Sequence, residues 1–189
     1  MTVQQINTGP IHLLVVEDSS AAAEILVRAI QRDGMEVASR RVDTAQAMRA
    51  ALADESWDAV LCDYVIPGFG APEALRLLLE SGLDLPFILV SGVVSEEVAV
   101  DMLKAGAHDF VLKSNLSRLV PALRRELREA AERRRGRAAQ TMLQESEARF
   151  RMLARISPVG IFQTDAAGHC TYVNERWSAM SGIPHATAP

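Results

Sequence analysis

Five short apolar runs alternate with longer amphipathic stretches from residue 12 to about residue 135, and this alternation restricts the fold more than any other feature. The runs occupy residues 12–16, 36–41, 58–63, 86–91 and 109–113. The amphipathic stretches have helical periodicity and occupy residues 20–33, 44–55, 72–81 and 95–105. Strands that alternate with helices of this length predict parallel βαβ units. The sequence therefore predicts an α/β fold built on a doubly wound parallel sheet.

Capping residues support the predicted helix boundaries. Ser20, Thr44 and Ser95 stand where a side-chain oxygen would cap a helix N-terminus. Glycine, the usual residue after a helix C-terminus, follows three of the stretches, at Gly34, Gly82 and Gly106.

A long helical pattern begins at Ser117, with Pro121 near the first turn, where proline is tolerated. Its apolar stripe consists of Leu116, Leu119, Leu123 and Leu127. This stripe predicts a fifth helix that packs on the sheet. Beyond Ala131 the pattern becomes densely charged, which favours a linker helix that pairs with its twin as a coiled coil. We therefore expect a homodimer formed through helix five and the linker.

The segment after Phe150 has a different pattern. The stretches "GIFQTD" and "HCTYVN" are joined by "AAG" and predict a hairpin, and "ERWSAMSGI" predicts a short helix. About 40 residues are too few for an ordinary independent core. The predicted organisation is an α/β domain over residues 10–130, a helical linker over 131–149 and a small α+β segment over 150–189.

Composition narrows the functional classes. The net charge of −4 gives no indication of nucleic-acid binding, which usually requires a basic surface. The run "ERRRGR" (132–137) has acidic neighbours, which favour a solvated helix face. No apolar run approaches the roughly 20 residues of a membrane helix. The distant Cys62 and Cys170 match no metal spacing, and the first residues lack a secretory pattern. We expect a reduced cytoplasmic protein that binds neither nucleic acid nor membrane.

Three carboxylates stand at the predicted carboxyl ends of strands. Glu17 and Asp18 follow the first strand, and Asp63 closes the third. In a sheet with strand order 2-1-3-4-5 these strands are neighbours, so the carboxylates would converge and repel one another. A hard divalent cation relieves such repulsion, and Mg²⁺ takes carboxylates, waters and phosphate oxygens as ligands. The sequence therefore predicts a magnesium site.

Two further strand ends add polar groups to this edge of the sheet. The fourth strand ends at Ser91 and the fifth at Lys113, whose ammonium suits a phosphoryl group. A metal, a hydroxyl and a lysine around a carboxylate are the parts needed to transfer and hold a phosphoryl group. The carboxylate itself can be the nucleophile, which gives an aspartyl phosphate.

From His12 to Leu127 these positions resemble the receiver domain of two-component response regulators. The resemblance implies a flavodoxin-like sheet and a phosphoryl group accepted on Asp63 from a histidine kinase or phosphotransfer protein. It also implies that Asp18 binds Mg²⁺ directly and Glu17 largely through water, with the Val65 carbonyl as a further ligand. It further implies that Ser91 and Lys113 bind phosphoryl oxygens. Phe110 would be the aromatic switch, whose rotamer changes when Ser91 moves.

Two positions depart from the receiver pattern. Ser114 stands where receivers often have a proline after the lysine, and Ala71 stands where glycine is common. The segment "SEARFRMLARISPVGIFQTDAAGHCTYVNERWSAMSGI" resembles the beginning of a PAS sensory domain, and it is too short for a cofactor to be carried over.

Three other functions compete with a phosphorylation switch. An aspartate-nucleophile phosphatase usually has a second aspartate two residues after the nucleophile, where this chain has Val65. A dinucleotide-binding oxidoreductase is weaker still, because "EDSSA" lacks a glycine-rich phosphate turn. The third is a receiver-like dimerisation scaffold that does not depend on phosphorylation. We expect a switch rather than an enzyme.

Overall fold

The computed structural model describes residues 9–92 and 95–182. Its strands are β1 (Ile11–Val16), β2 (Val37–Val42), β3 (Ala59–Cys62), β4 (Phe87–Ser91), β5 (Asp109–Leu112), β6 (Phe162–Thr164) and β7 (Cys170–Val173). Its helices are α1 (Ser20–Arg32), α2 (Ala45–Asp54), α3 (Ala71–Glu80), α4 (Glu96–Ala105), α5 (Leu119–Ile156) and α6 (Glu175–Ser181). The chain divides into two compact units, the first ending at Arg134 and the second beginning at Arg135.

The first unit is built on a five-stranded parallel sheet with strand order β2-β1-β3-β4-β5. Successive side chains of each strand point to opposite faces, so the buried strands supply two separate cores. One core packs against α2, α3 and α4, and the other packs against α1 and α5. The predicted doubly wound fold and its strand order are confirmed.

The predicted apolar stripe seals α5 onto the sheet. Leu119 and Leu123 are fully buried, and Leu116 and Leu127 pack against the same core. The long helix starts two residues later than predicted, because a short 3-10 helix, Lys113–Arg118, connects it to β5.

Two of the three predicted N-caps are confirmed. Thr44 and Ser95 accept hydrogen bonds from backbone N–H groups of α2 and α4. The prediction for α1 was wrong by one residue, since Ser19 accepts from the Ala22 N–H and Ser20 is already helical. All three predicted stop glycines have positive φ, which costs glycine little because it has no Cβ.

Within the first unit, polar contacts of Arg133 hold α5 against neighbouring segments. The Arg133 guanidinium donates to both carboxylate oxygens of Asp84, over nitrogen–oxygen distances of 3.0–3.4 Å. Its Nη2 also lies 3.4 Å from Nε2 of His108, and Nδ1 of that ring accepts the Phe87 N–H at 3.1 Å. These contacts join α5 to the segments that precede β4 and β5.

Asn174 organises the second unit. Its Oδ1 accepts from the N–H groups of Ile161 and Trp177 at 2.8 and 2.9 Å, and its Nδ2 donates to the carbonyls of Ala154 and Val159 at 2.8 and 2.9 Å. The side chain is 1% exposed, so one buried amide ties the end of α5 and the following turn to α6. The predicted hairpin is present as β6 and β7. Residues 183–189 of the predicted segment lie outside the described residues.

His108 should make stability depend on pH. Burial lowers its pKa, and the Arg133 charge lowers it further, against the opposing charges of Glu126, Asp84 and Glu129. The ordinary pKa of histidine is 6.5, and the pKa in the folded chain is lower. At pH values between these two, the unfolded chain binds more protons than the folded chain. The free energy of unfolding therefore falls as the pH drops through this window.

We expect His108→Asn to lose less free energy of unfolding than the parent chain when the pH falls from 7.5 to 5.5. The asparagine oxygen can still accept the Phe87 N–H but does not titrate. Urea unfolding at both pH values measures the difference, and identical pH dependence of the two proteins would contradict this role.

Candidate functional site

Three carboxylates meet at the carboxyl edge of the sheet. Val16 of β1 lies opposite Cys62 of β3, so the residues that follow these two strand ends emerge side by side. Glu17, Asp18 and Asp63 each place a carboxylate oxygen within 4.8 Å of the others. Their burial is graded, because Glu17 is buried, Asp63 is intermediate and Asp18 is exposed. The predicted convergence of these side chains is present.

Lys113 bridges two of the three carboxylates. Its Nζ donates to Glu17 Oε2 at 2.7 Å and to Asp63 Oδ2 at 2.8 Å. Burial raises the pKa of Glu17, and Asp63 adds to this, although the Lys113 hydrogen bond and charge act against it. Burial lowers the pKa of Lys113, but the bonds and charges of both carboxylates outweigh it, so this pKa is raised. The ammonium therefore stays charged inside the cluster.

Both oxygens of Asp63 have donors. The Tyr64 N–H donates to Oδ1 at 2.7 Å, and Lys113 occupies Oδ2. The Asp63 N–H donates to the Val16 carbonyl at 2.9 Å, which fixes the backbone against β1. The side chain remains 13% exposed, so its carboxylate is held in one orientation at an opening to solvent.

Cys62, the residue before Asp63, is the buried last residue of β3. It is 1% exposed, and its thiol donates to the Asp63 carbonyl at 3.1 Å. Burial raises the pKa of the Cys62 thiol well above its ordinary value, and the charges of Asp63 and Glu17 raise it further. The thiol is therefore protonated at neutral pH.

The other predicted residues lie at different depths in the receiver domain. Ser91 ends β4, is 2% exposed and pairs in register with Leu112, the residue before Lys113. Phe110 is half-buried and packs against the core shared with α2, α3 and α4. Val65, two residues after the aspartate, is 66% exposed. Their roles in phosphorylation stay predictions.

Sequence reasoning missed one residue that contacts the acidic loop, which is residues 17–19 between β1 and α1. Arg41, near the end of β2, donates to backbone carbonyls of this loop. The sequence offers one indication of this contact. Arg41 is one residue from the end of β2, and β2 is the neighbour of β1 in the sheet.

The donor set of the acidic cluster fits Mg²⁺. Three carboxylates and one ammonium leave two net negative charges when all four groups are ionised, and carboxylate oxygens are the ligands that this hard cation prefers. Asp18 is the most accessible of the three and lacks the lysine contact that the other two share.

Comparisons with known proteins agree with this geometry. The family described as "Response regulator receiver domain" matches residues 13–124, and the family described as "PAS domain" matches residues 148–189. The first match covers more than half of the chain. This chain therefore belongs to the response regulator receiver family, and its receiver domain is followed by a PAS segment.

Curated relatives share the receiver-length region. Response regulator MprA of Mycolicibacterium vanbaalenii is 35% identical over 124 residues, which are 61% of this chain and 52% of that protein. Protein-glutamate methylesterase/protein-glutamine glutaminase 2 of Caulobacter vibrioides is 33% identical over 109 residues, which are 57% of this chain and 31% of that protein. The chain thus spans about half or less of the length of these relatives.

Solved structures show the same fold. The receiver domain of a Luxo repressor protein from Vibrio parahaemolyticus aligns with a TM-score of 0.59 at 21% identity, over 66% of this chain and 95% of that one. A CheY-like receiver domain from Methanospirillum hungatei aligns with a TM-score of 0.57 at 24% identity, over 66% and 99%.

Among the described residues, no helix is both long enough and apolar enough to cross a bilayer.

We expect Lys113→Met to lower the free energy of unfolding by about 1–3 kcal/mol, because it leaves the 2%-exposed Glu17 side chain without its cation. Adding Glu17→Gln to this variant should recover part of the loss, since the buried charge is then removed. Urea unfolding in EDTA measures both changes. Lys104→Met, at an exposed position of α4, is the matched control and should change the free energy of unfolding little. A double variant that is no more stable than Lys113→Met would contradict this account.

Proposed function

We propose that the receiver domain is a phosphoaspartate switch of a two-component phosphorelay, with Asp63 as phosphoacceptor. The observation that carries the proposal is the fixed, solvent-facing Asp63 carboxylate between Lys113 and the acidic pair Glu17 and Asp18. The family of the domain supports the same class of function. The donor would be a histidine kinase or a phosphotransfer protein.

The transfer step balances with the groups present. An Asp63 oxygen attacks the phosphorus of a phosphohistidine, the phosphorus–nitrogen bond breaks, and the imidazole leaves and takes up a proton. Asp18, Asp63 and the Val65 carbonyl would hold Mg²⁺, with Glu17 acting largely through water. The cation supplies neutralisation of charge on the phosphoryl oxygens.

Lys113 and Ser91 would then stabilise the product. The Lys113 ammonium, already 2.8 Å from Asp63 Oδ2, can move to a phosphoryl oxygen with little displacement. The Ser91 hydroxyl at the end of β4 would donate to another phosphoryl oxygen, and the half-buried Phe110 would follow its movement. Phosphorylation adds about one further negative charge, which drives this rearrangement.

The output would pass through α5. This helix buries Leu119 and Leu123 in the receiver core, and its last turn contributes the Ala154 carbonyl to the Asn174 network. A change at β5 and α5 would thereby be transmitted along one helix to the PAS segment. We also infer a cytoplasmic location, which two free cysteines favour.

Acetyl phosphate tests the switch directly. With Mg²⁺, the chain should gain the mass of a single phosphoryl group, because Asp63 is accessible and activated. The adduct should be absent with EDTA and absent in Asp63→Asn. Asp58→Asn, which changes an aspartate that instead bonds to the His12 N–H, is the control and should still be phosphorylated. No adduct on the folded parent chain would favour the phosphorylation-independent scaffold.

We further propose that the chain forms a homodimer through the linker part of α5. Exposed apolar side chains on an otherwise charged helix support this, since Met142 and Leu143 are 70% and 61% exposed. An apolar stripe of this kind is stabilised when a second helix covers it.

Light scattering coupled to size-exclusion chromatography measures the oligomeric state. The parent chain should have the mass of a dimer, and Met142→Glu with Leu143→Glu should dissociate it, because buried charges lack partners. Gln140→Glu with Thr141→Glu adds the same charge beside the stripe and should remain dimeric. A parent chain that is monomeric both in the absence and in the presence of acetyl phosphate would refute the dimer.

A further inference from the structure

The Arg41 guanidinium contacts the acidic loop but is not one of the groups that would bind the cation or the phosphoryl group. Nη1 of Arg41 donates to the Glu17 carbonyl at 2.8 Å and to the Asp18 carbonyl at 3.1 Å. The same nitrogen donates to Asp43 Oδ2 at 2.9 Å. Two consecutive carbonyls of the loop that carries the acidic pair therefore share one donor.

The loop is also tied to β2 by its backbone. The Glu17 N–H donates to the Val42 carbonyl at 3.0 Å, beside the Arg41 contact. On the far side of the loop, Ser19 caps α1 and its N–H donates to Glu17 Oε1 at 3.3 Å. Asp18 lies between these two anchors, and its side chain is exposed. In the part of the chain that the structure describes, the hydrogen bond that holds Asp18 directly is the one that its carbonyl accepts from Arg41.

We propose that Arg41 is a positioning residue for the divalent-cation site: it holds the Glu17 and Asp18 backbone so that both carboxylates face Asp63. This inference rests on the magnesium site of the proposed function. Arg41 acts through the loop and needs no contact with the cation. Groups that orient metal ligands in this way commonly affect metal affinity by roughly 10–100-fold.

The positioning role and simple charge repulsion predict opposite changes in Mg²⁺ affinity when Arg41 is replaced, so the direction of the change distinguishes them. Arg41 is a cation near a cation site, so removing its charge would strengthen Mg²⁺ binding if Coulomb repulsion dominated. The Asp43 carboxylate at 2.9 Å already neutralises much of that charge. Loss of the two carbonyl contacts would instead free the loop and weaken binding.

The experiment is isothermal titration of the full chain with MgCl₂ at pH 7.5, without any phosphodonor. Arg41→Gln should weaken Mg²⁺ binding by about tenfold, the lower end of that range because Arg41 is partly exposed. Arg41→Lys, which replaces the guanidinium with another cationic donor, should recover part of the affinity. Arg40→Gln removes the same charge from the neighbouring position, where the side chain pairs with Glu55, and should bind like the parent chain.

Amide hydrogen exchange gives a second readout that a general loss of stability would not reproduce. In Arg41→Gln, exchange should accelerate at Glu17, Asp18 and Ser19 and stay unchanged in β3 and β4. Unchanged or tighter Mg²⁺ binding in Arg41→Gln overturns the positioning role and leaves the phosphorylation switch intact. A parent chain that binds no Mg²⁺ overturns the cation site itself, and with it the role of Arg41.

Discussion

The contact between the Lys113 ammonium and two carboxylates is the interaction on which the rest of the site depends. Glu17 and Asp63 follow the ends of β1 and β3, which the strand order makes neighbours, and the long Lys113 side chain reaches both from the end of β5. One positive charge cannot neutralise three carboxylates, so the cluster keeps a deficit of positive charge. The same excess of negative charge, which destabilises the cluster by repulsion, provides the attraction for a cation.

The fold was predictable because its signals are local and repeated. Apolar runs of strand length, separated by capped amphipathic helices, left few alternatives to a doubly wound sheet. Convergence of Glu17, Asp18 and Asp63 then followed from topology, since carboxyl ends of neighbouring parallel strands share one edge. The errors were at boundaries: Ser19 rather than Ser20 caps α1, and a 3-10 helix precedes α5. Adjacent serines offer the same capping oxygen, so sequence cannot choose between them.

Long-range side-chain contacts were not predictable in this way. Arg41 reaches a loop 23 and 24 residues away, and Arg133 reaches Asp84 across 49 residues. Both arginines are partly exposed and read in sequence as ordinary surface charges. Their contacts depend on the direction in which each guanidinium points, and that direction is set by the packing of neighbouring helices and strands. Patterns of hydrophobicity contain no information on that direction.

The buried thiol of Cys62, the residue before Asp63, has a chemical consequence for any acyl phosphate formed there. An aspartyl phosphate is an acylating agent, and a thiolate that reached its carbonyl carbon would displace phosphate and form a thioester. Only the deprotonated sulfur is a good nucleophile. Burial and two nearby carboxylates keep Cys62 protonated, and its hydrogen is directed to the Asp63 carbonyl. Protonated Cys62 would therefore be chemically compatible with an acyl phosphate on the residue that follows it.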